Sequence, residues 1–109
     1  MPFVEVTVAG SDVEILEVPK DKIFKIKGVY VRNDSASDAQ VVLKDTYTYN
    51  AGDSKGTAGE RELIRVSVSA GSEEDLTRLV GEEVIGTLVV NTTQTPIYVY
   101  VGIEEKMGV

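Results

Sequence analysis

The 109-residue sequence predicts one all-β domain, an antiparallel β-sandwich of seven to eight strands with one short helical turn near residues 72–80. Three observations predict it. Val, Ile and Thr make up 34 of the 109 residues, and β-branched side chains suit strands because χ1 is already restricted. Apolar and polar residues alternate over short runs, the period of a strand with one buried face. Gly, Asn, Asp and Pro punctuate these runs at near-regular spacing. A jelly roll and a Greek key both satisfy the pattern. The Cys…Trp…Cys signature of immunoglobulin domains is missing, since the chain has no Cys and no Trp.

The elements follow in order. Phe3 to Val8 puts Val4, Val6 and Val8 on one face, and Ala9-Gly10-Ser11-Asp12 turns the chain. Val13 to Val18 slips phase between Val13/Ile15 and Leu16/Val18, which predicts a bulge or a sheet-crossing strand. Ile23 to Arg32 changes parity around Gly28, predicting a second bulge there. After a polar loop, Asn33 to Asp38, the strand Gln40 to Tyr49 places Val41, Leu43, Asp45, Tyr47 and Tyr49 on one side. Asn50 to Glu60 reads as a glycine-rich loop, and Glu62 to Val68 as the next strand. Ser72-Glu73-Glu74-Asp75-Leu76 combines an N-cap serine with acids suited to the positive end of a helix dipole. It predicts a helical turn with Leu76, Leu79 and Val80 packing down. Val84 to Val90 and Ile97 to Ile103 complete the set.

Composition removes several chemistries. Eleven Lys+Arg against 18 Asp+Glu leave a net charge of −7, which argues against a basic surface for nucleic acid or anionic membrane. With no Cys and no His there is no thiolate or imidazole nucleophile, base or metal ligand. The N-terminus lacks a basic start and an unbroken apolar stretch, so a soluble intracellular product is expected. Asn, Gln, Cys and Met are sparse, a compositional hint of thermostability. Gly52-Asp53-Ser54-Lys55-Gly56 matches the nucleophile-elbow pattern, but the elbow needs a histidine and a strand-to-helix turn. Paired acids at Asp34/Asp38, Glu73/Glu74/Asp75, Glu82/Glu83 and Glu104/Glu105 lack calcium-loop or glycosidase spacing and read as a solvated surface. Asp34 and Asp38 are the best calcium candidates among them. An enzyme would have to draw on carboxylates, Lys, Tyr and Ser, and no set of these is spaced as a site.

The last strand is unusual. Ile97, Val99, Val101 and Ile103 alternate with Tyr98, Tyr100 and Gly102, and no charge falls between Pro96 and Glu104. A strand apolar on both sides expects cover on both sides, whereas a two-layer sandwich covers one. The tyrosines then cover a neighbouring strand, form an oligomer interface, or make a ligand platform. Tyr47 and Tyr49 form a second pair; were the fourth and last strands neighbours, Tyr47, Tyr49, Tyr98 and Tyr100 would share one patch.

The arrangement of Ile26-Lys27-Gly28-Val29-Tyr30-Val31-Arg32-Asn33, Val41-Val42-Leu43-Lys44-Asp45, Glu83-Val84-Ile85-Gly86-Thr87-Leu88 and Val99-Tyr100-Val101 resembles small β-sandwich accessory capsid proteins of tailed phages and archaeal viruses. The resemblance implies a non-enzymatic decoration or stabilising role on a virion, as a homo-oligomer, with a trimer around a symmetry axis favoured. It also implies a major capsid protein as partner; from composition and charge, no cofactor, nucleic-acid or membrane partner is expected. The alternative is a small ligand- or carbohydrate-binding β-sandwich module working through tyrosine faces, which lacks Trp, the strongest stacking residue.

Overall fold

The computed structural model describes residues 3–19, 22–49 and 57–107, with the side chains of residues 48, 49, 57, 58, 106 and 107 outside that set. The strands among them are β1 (Phe3–Val6), β2 (Val13–Glu17), β3 (Lys22–Asn33), β4 (Ala39–Tyr49), β5 (Thr57–Val68), β6 (Glu73–Asp75), β7 (Glu83–Val84), β8 (Thr87–Thr92) and β9 (Ile97–Met107). A 3-10 turn, Thr77–Leu79, lies between β6 and β7. One sheet runs β1-β9-β3-β6, with β7 also on β3, and the other runs β2-β8-β4-β5.

The pairing resolves the topology. The antiparallel pairs β1·β9, β2·β8, β3·β6/β7 and β4·β5 nest one inside the next, like a long hairpin whose tip is the β4–β5 connection. Rolling that hairpin brings β9 against β3 and β8 against β4. This is a jelly roll, which places the first strand beside the last.

Side-chain parity fills the space between the sheets. Ile97, Val99 and Val101 of β9, with Ile26, Val29 and Val31 of β3, face Val41 and Leu43 of β4 and Leu88 and Val90 of β8. β3 keeps this face inward because a bulge at Lys27 absorbs one residue between the Ile26–Ile103 and Gly28–Gly102 pairs. The predicted parity change is therefore real, and the extra residue is Lys27, immediately before the glycine. The phase slip in β2 is likewise a register shift, between Glu14 and Leu16.

Buried polar groups are absorbed by the backbone. Asn33 is fully buried: its Nδ2 donates to Ser37 O at 2.9 Å and Val68 O at 2.8 Å, and its Oδ1 accepts from the backbone N–H and hydroxyl of Ser35. The Asn33–Asp38 loop is thus organised from inside by an Asx-type turn. Asp45, also buried, accepts the N–H groups of Ile85 at 3.1 Å and Gly86 at 3.0 Å.

Three expectations are corrected. Ser72 caps no helix, and Glu73–Asp75 pairs with Arg32–Tyr30 of β3 as a strand. The open edge of β3 offers backbone partners along its length, whereas one helical turn leaves most of its own unsatisfied. The 3-10 turn follows, burying Leu76 and Leu79 but leaving Val80 54% exposed. Second, the expected strand Val84 to Val90 is two strands in different sheets, because the chain crosses over at Ile85-Gly86. A Cβ on Gly86 would run into the Thr46 carbonyl oxygen, so only glycine lets the crossing segment lie this close to β4. Third, β5 begins at Thr57, well inside the predicted loop, while β1 ends at Val6 rather than Val8.

Gly86→Ala is expected to cost about 2–3 kcal/mol through overpacking against backbone. Gly28→Ala, whose Cβ meets nothing within 4 Å, is expected to leave stability within about 0.5 kcal/mol, as for surface sites away from special features. Urea unfolding of the two variants checks the contrast.

Candidate functional site

The candidate site is the outer face of the β1-β9-β3-β6 sheet. In antiparallel register, residues directly opposite one another share a face. Phe3 lies opposite Tyr100, Tyr100 opposite Tyr30, and Tyr30 opposite Asp75, so these four form one row across four strands. Glu5, Tyr98, Arg32 and Glu73 form the next row. Gly102 and Gly28 stand opposite each other on the other side of the aromatic row.

The rings make one cluster. Phe3 stacks on Tyr98 with centroids 5.9 Å apart and planes 7° from parallel. It meets Tyr100 at 4.6 Å and 32°, and Tyr100 meets Tyr30 at 5.8 Å and 58°. Such offset and tilted pairs suit the ring quadrupoles. Phe3 is 49% exposed and Tyr100 38%. The tyrosine face of the last strand is therefore an outer surface, with its Ile97, Val99 and Val101 side buried.

Charges rim the cluster. Tyr98 Oη donates to Glu5 Oε2 at 3.3 Å, Arg32 Nε donates to Asp34 Oδ1 at 2.8 Å, and Lys27 pairs with Glu104 at 3.3 Å. The hydrogen bond to Glu73 pushes the Tyr30 phenol above its ordinary pKa, and the charge of Glu5 does the same for Tyr98. Both hydroxyls are thus held protonated.

The outer face of the other sheet is built differently. Lys44 Nζ lies 3.1 Å from Asp12 and 3.4 Å from Glu60. Arg65 binds Glu62 at 2.8 Å and Gln40 at 3.2 Å, and Asn91 donates to Asp12 at 3.0 Å. The Asn91 hydrogen bond, aided by Lys44, holds the Asp12 carboxyl below its ordinary pKa. This polar lattice overlies Val42 and Val89, which are buried although they point outward.

The four predicted tyrosines do not share a patch. β4 and β9 belong to different sheets, so Tyr47 is separated from Tyr98 and Tyr100. Tyr47 packs its ring where a Cβ on the opposing Gly59 would stand, 2.9 Å from its Cε2. Tyr49 pairs with Thr57 through its backbone, and its side chain lies outside the described residues, as does the segment Gly52–Gly56. Tyr98 and Tyr100 gain Phe3 and Tyr30 as neighbours instead. Outward parity in the first strand, Phe3 with Glu5, was the available signal for Phe3. Using it required knowing that the first and last strands pair.

The other candidates are engaged locally. Asp34 holds Arg32, and Asp38 accepts the N–H of Ala70 at 3.0 Å. Among the described residues no group of three or more acidic side chains is placed to hold a metal ion. A concavity of about 570 Å3 beside the β4–β5 ribbon is lined by Asp45, Tyr47, Arg61, Glu82 and Ile85. Its Asp45 serves the Ile85 and Gly86 amides, and its Arg61 binds Glu82 and the Glu83 carbonyl. No helix among the described residues is long and apolar enough to cross a membrane. No protein-family model, curated protein or solved structure matches the chain.

The two phenols give a direct check on the rim. Tyr30 and Tyr98 are expected to ionise above the ordinary tyrosine value, with Glu73→Gln moving Tyr30 back down and Glu5→Gln moving Tyr98. Titration of the 13Cζ resonances reads each ring separately.

Proposed function

We propose that the protein is a non-enzymatic assembly protein that works by docking the aromatic face of its β1-β9-β3-β6 sheet against a second copy of itself. The observation that carries this reading is the contrast between its two outer faces. One carries a self-satisfied lattice of ion pairs over its apolar residues, and the other gathers Phe3, Tyr98, Tyr100 and Tyr30 in a cluster that leaves Phe3 and Tyr100 exposed. An aromatic centre with a polar rim is the anatomy of an interface hot spot.

The energetics favour this use. Apolar area leaving water contributes about 25 cal/mol per Å2, and a fully buried aromatic side chain brings roughly 150–250 Å2. A stable interface buries about 1,200–2,000 Å2 in total. The four rings would supply its centre, with Glu5, Arg32, Asp34 and Glu73 as its rim. The net charge of −7 keeps the rest of the surface from indiscriminate association.

The resemblance to accessory capsid proteins supplies the setting: a homo-oligomer, a trimer in the form it implies, decorating or stabilising a virion beside a major capsid protein. The jelly-roll topology supports that setting, because the fold recurs in viral shells. Fold alone carries no function, so the proposal stands on the aromatic face.

Tyr98→Asp combined with Tyr100→Asp is expected to weaken self-association on the order of 100-fold or more, since hot-spot aromatics each contribute about 2 kcal/mol or more. Native mass spectrometry reads the loss, while the strand-type circular dichroism stays unchanged. A wild-type protein that is strictly monomeric at micromolar concentration overturns the proposal.

A further inference from the structure

The glycine pair beside the aromatic row opens a second feature on the same sheet. Gly28 and Gly102 face each other across β3 and β9, and a Cβ on Gly28 would meet nothing within 4 Å. Two facing glycines bare the backbone where the rest of the sheet carries side chains. The result is a trough of about 270 Å3, floored by these glycines and lined by Tyr30, Tyr100, Asp75 and Lys27.

We propose that this trough binds a neutral saccharide, with one sugar ring seated on the Gly28–Gly102 floor against Tyr30 and Tyr100. The lining selects the chemistry. Asp75 repels an anion, and Lys27, whose ammonium is paired with Glu104 at 3.3 Å, offers an anion no unpaired charge in return, whereas a neutral ligand meets no such penalty. A polyhydroxylated ring uses both groups: its hydroxyls donate to the Asp75 carboxylate and accept from the Lys27 ammonium. Its apolar C–H face packs on the tyrosine wall, in keeping with ligand sites that combine aromatic lining with a few placed polar groups. The volume lies just under the roughly 300–1,000 Å3 of drug-sized pockets, the scale of a sugar ring rather than of an extended peptide. The bulge at Lys27 contributes directly, because the inserted residue joins the trough lining beside the glycine that bares its floor.

The inference does not rest on self-association, although Tyr30 and Tyr100 belong to both features, so that a sugar and a second copy would compete for them. The experiment is a titration of the full chain with methyl glucoside, methyl mannoside, methyl galactoside, N-acetylglucosamine and their β-1,4- and α-linked oligomers at millimolar concentration. Amide shifts in 15N spectra are read at Gly28 and Gly102. At least one sugar is expected to shift both. Gly28→Val, whose side chain fills the trough from an open position, is expected to lower that affinity at least tenfold, which is about 1.4 kcal/mol. Asp75→Asn, at an exposed site, is expected to weaken binding as well and serves if the valine variant misfolds. Tyr98→Asp lies outside the trough and is expected to retain sugar binding while loosening any oligomer, which separates this proposal from the assembly reading. Absence of shifts at Gly28 and Gly102 for every sugar overturns it. So do shifts that survive both trough variants, or a response to tetramethylammonium in place of the sugars.

Discussion

The pairing of β9 between β1 and β3 is the constraint on which the rest of the molecule depends. Its eleven residues, Ile97–Met107, run antiparallel to β3, and Ile97–Tyr100 pair with β1 on the other side as well. The period of two then divides its side chains without remainder. Ile97, Val99 and Val101 go to the core, where each is fully buried, while Tyr98, Tyr100 and Gly102 go to the outside. A slip of one residue would drive two tyrosines into a space that fits Val and would expose the core set. The same register that closes the sandwich therefore builds the aromatic row and sets Gly102 opposite Gly28.

Much of this order is legible locally. The burial parity of β9, the bulges in β2 and β3 and the inward side of β4 follow from residue alternation, because a strand with one wet face records its orientation in its own sequence. Asp45 falls on the apolar side of that pattern, and it is indeed buried. Its purpose is not legible there: the partners are the Ile85 and Gly86 amides, forty residues away.

What the alternation does not carry is adjacency. Tyr47 and Tyr98 each open a Tyr-x-Tyr pair, yet they sit in different sheets because the nested hairpin sends β4 and β9 apart. Phe3 and Tyr30 join the cluster only through long-range pairing. Glu73–Asp75 escapes recognition for a related reason. Its side chains are all exposed, so it lacks an apolar face, and its strand conformation is dictated by the open edge of β3. The acids that suit a helix N-terminus in isolation find a stronger use for their backbone beside Arg32, Val31 and Tyr30. The split of the predicted Val84–Val90 strand is set by the close pass of Gly86 over Thr46, a contact between distant segments.

The two outer faces show how a thin sandwich handles apolar residues that its own core cannot take. On the β2-β8-β4-β5 sheet, the stems of Lys44 and Arg65 can shelter aliphatic groups while their heads bind Asp12, Glu60 and Glu62. This solution suits small side chains such as Val42 and Val89. Aromatic rings are too large for such cover. On the β1-β9-β3-β6 sheet, Phe3, Tyr98, Tyr100 and Tyr30 cover one another instead, and the rim acids engage the phenol hydroxyls of Tyr98 and Tyr30. That mutual cover is incomplete, as the exposure of Phe3 and Tyr100 shows, so further burial of this face remains favourable. The glycine trough adds direction to that residual attraction. A flat aromatic surface accepts many apolar partners, whereas Asp75 and Lys27 at the trough set a hydrogen-bond acceptor and a donor beside the rings.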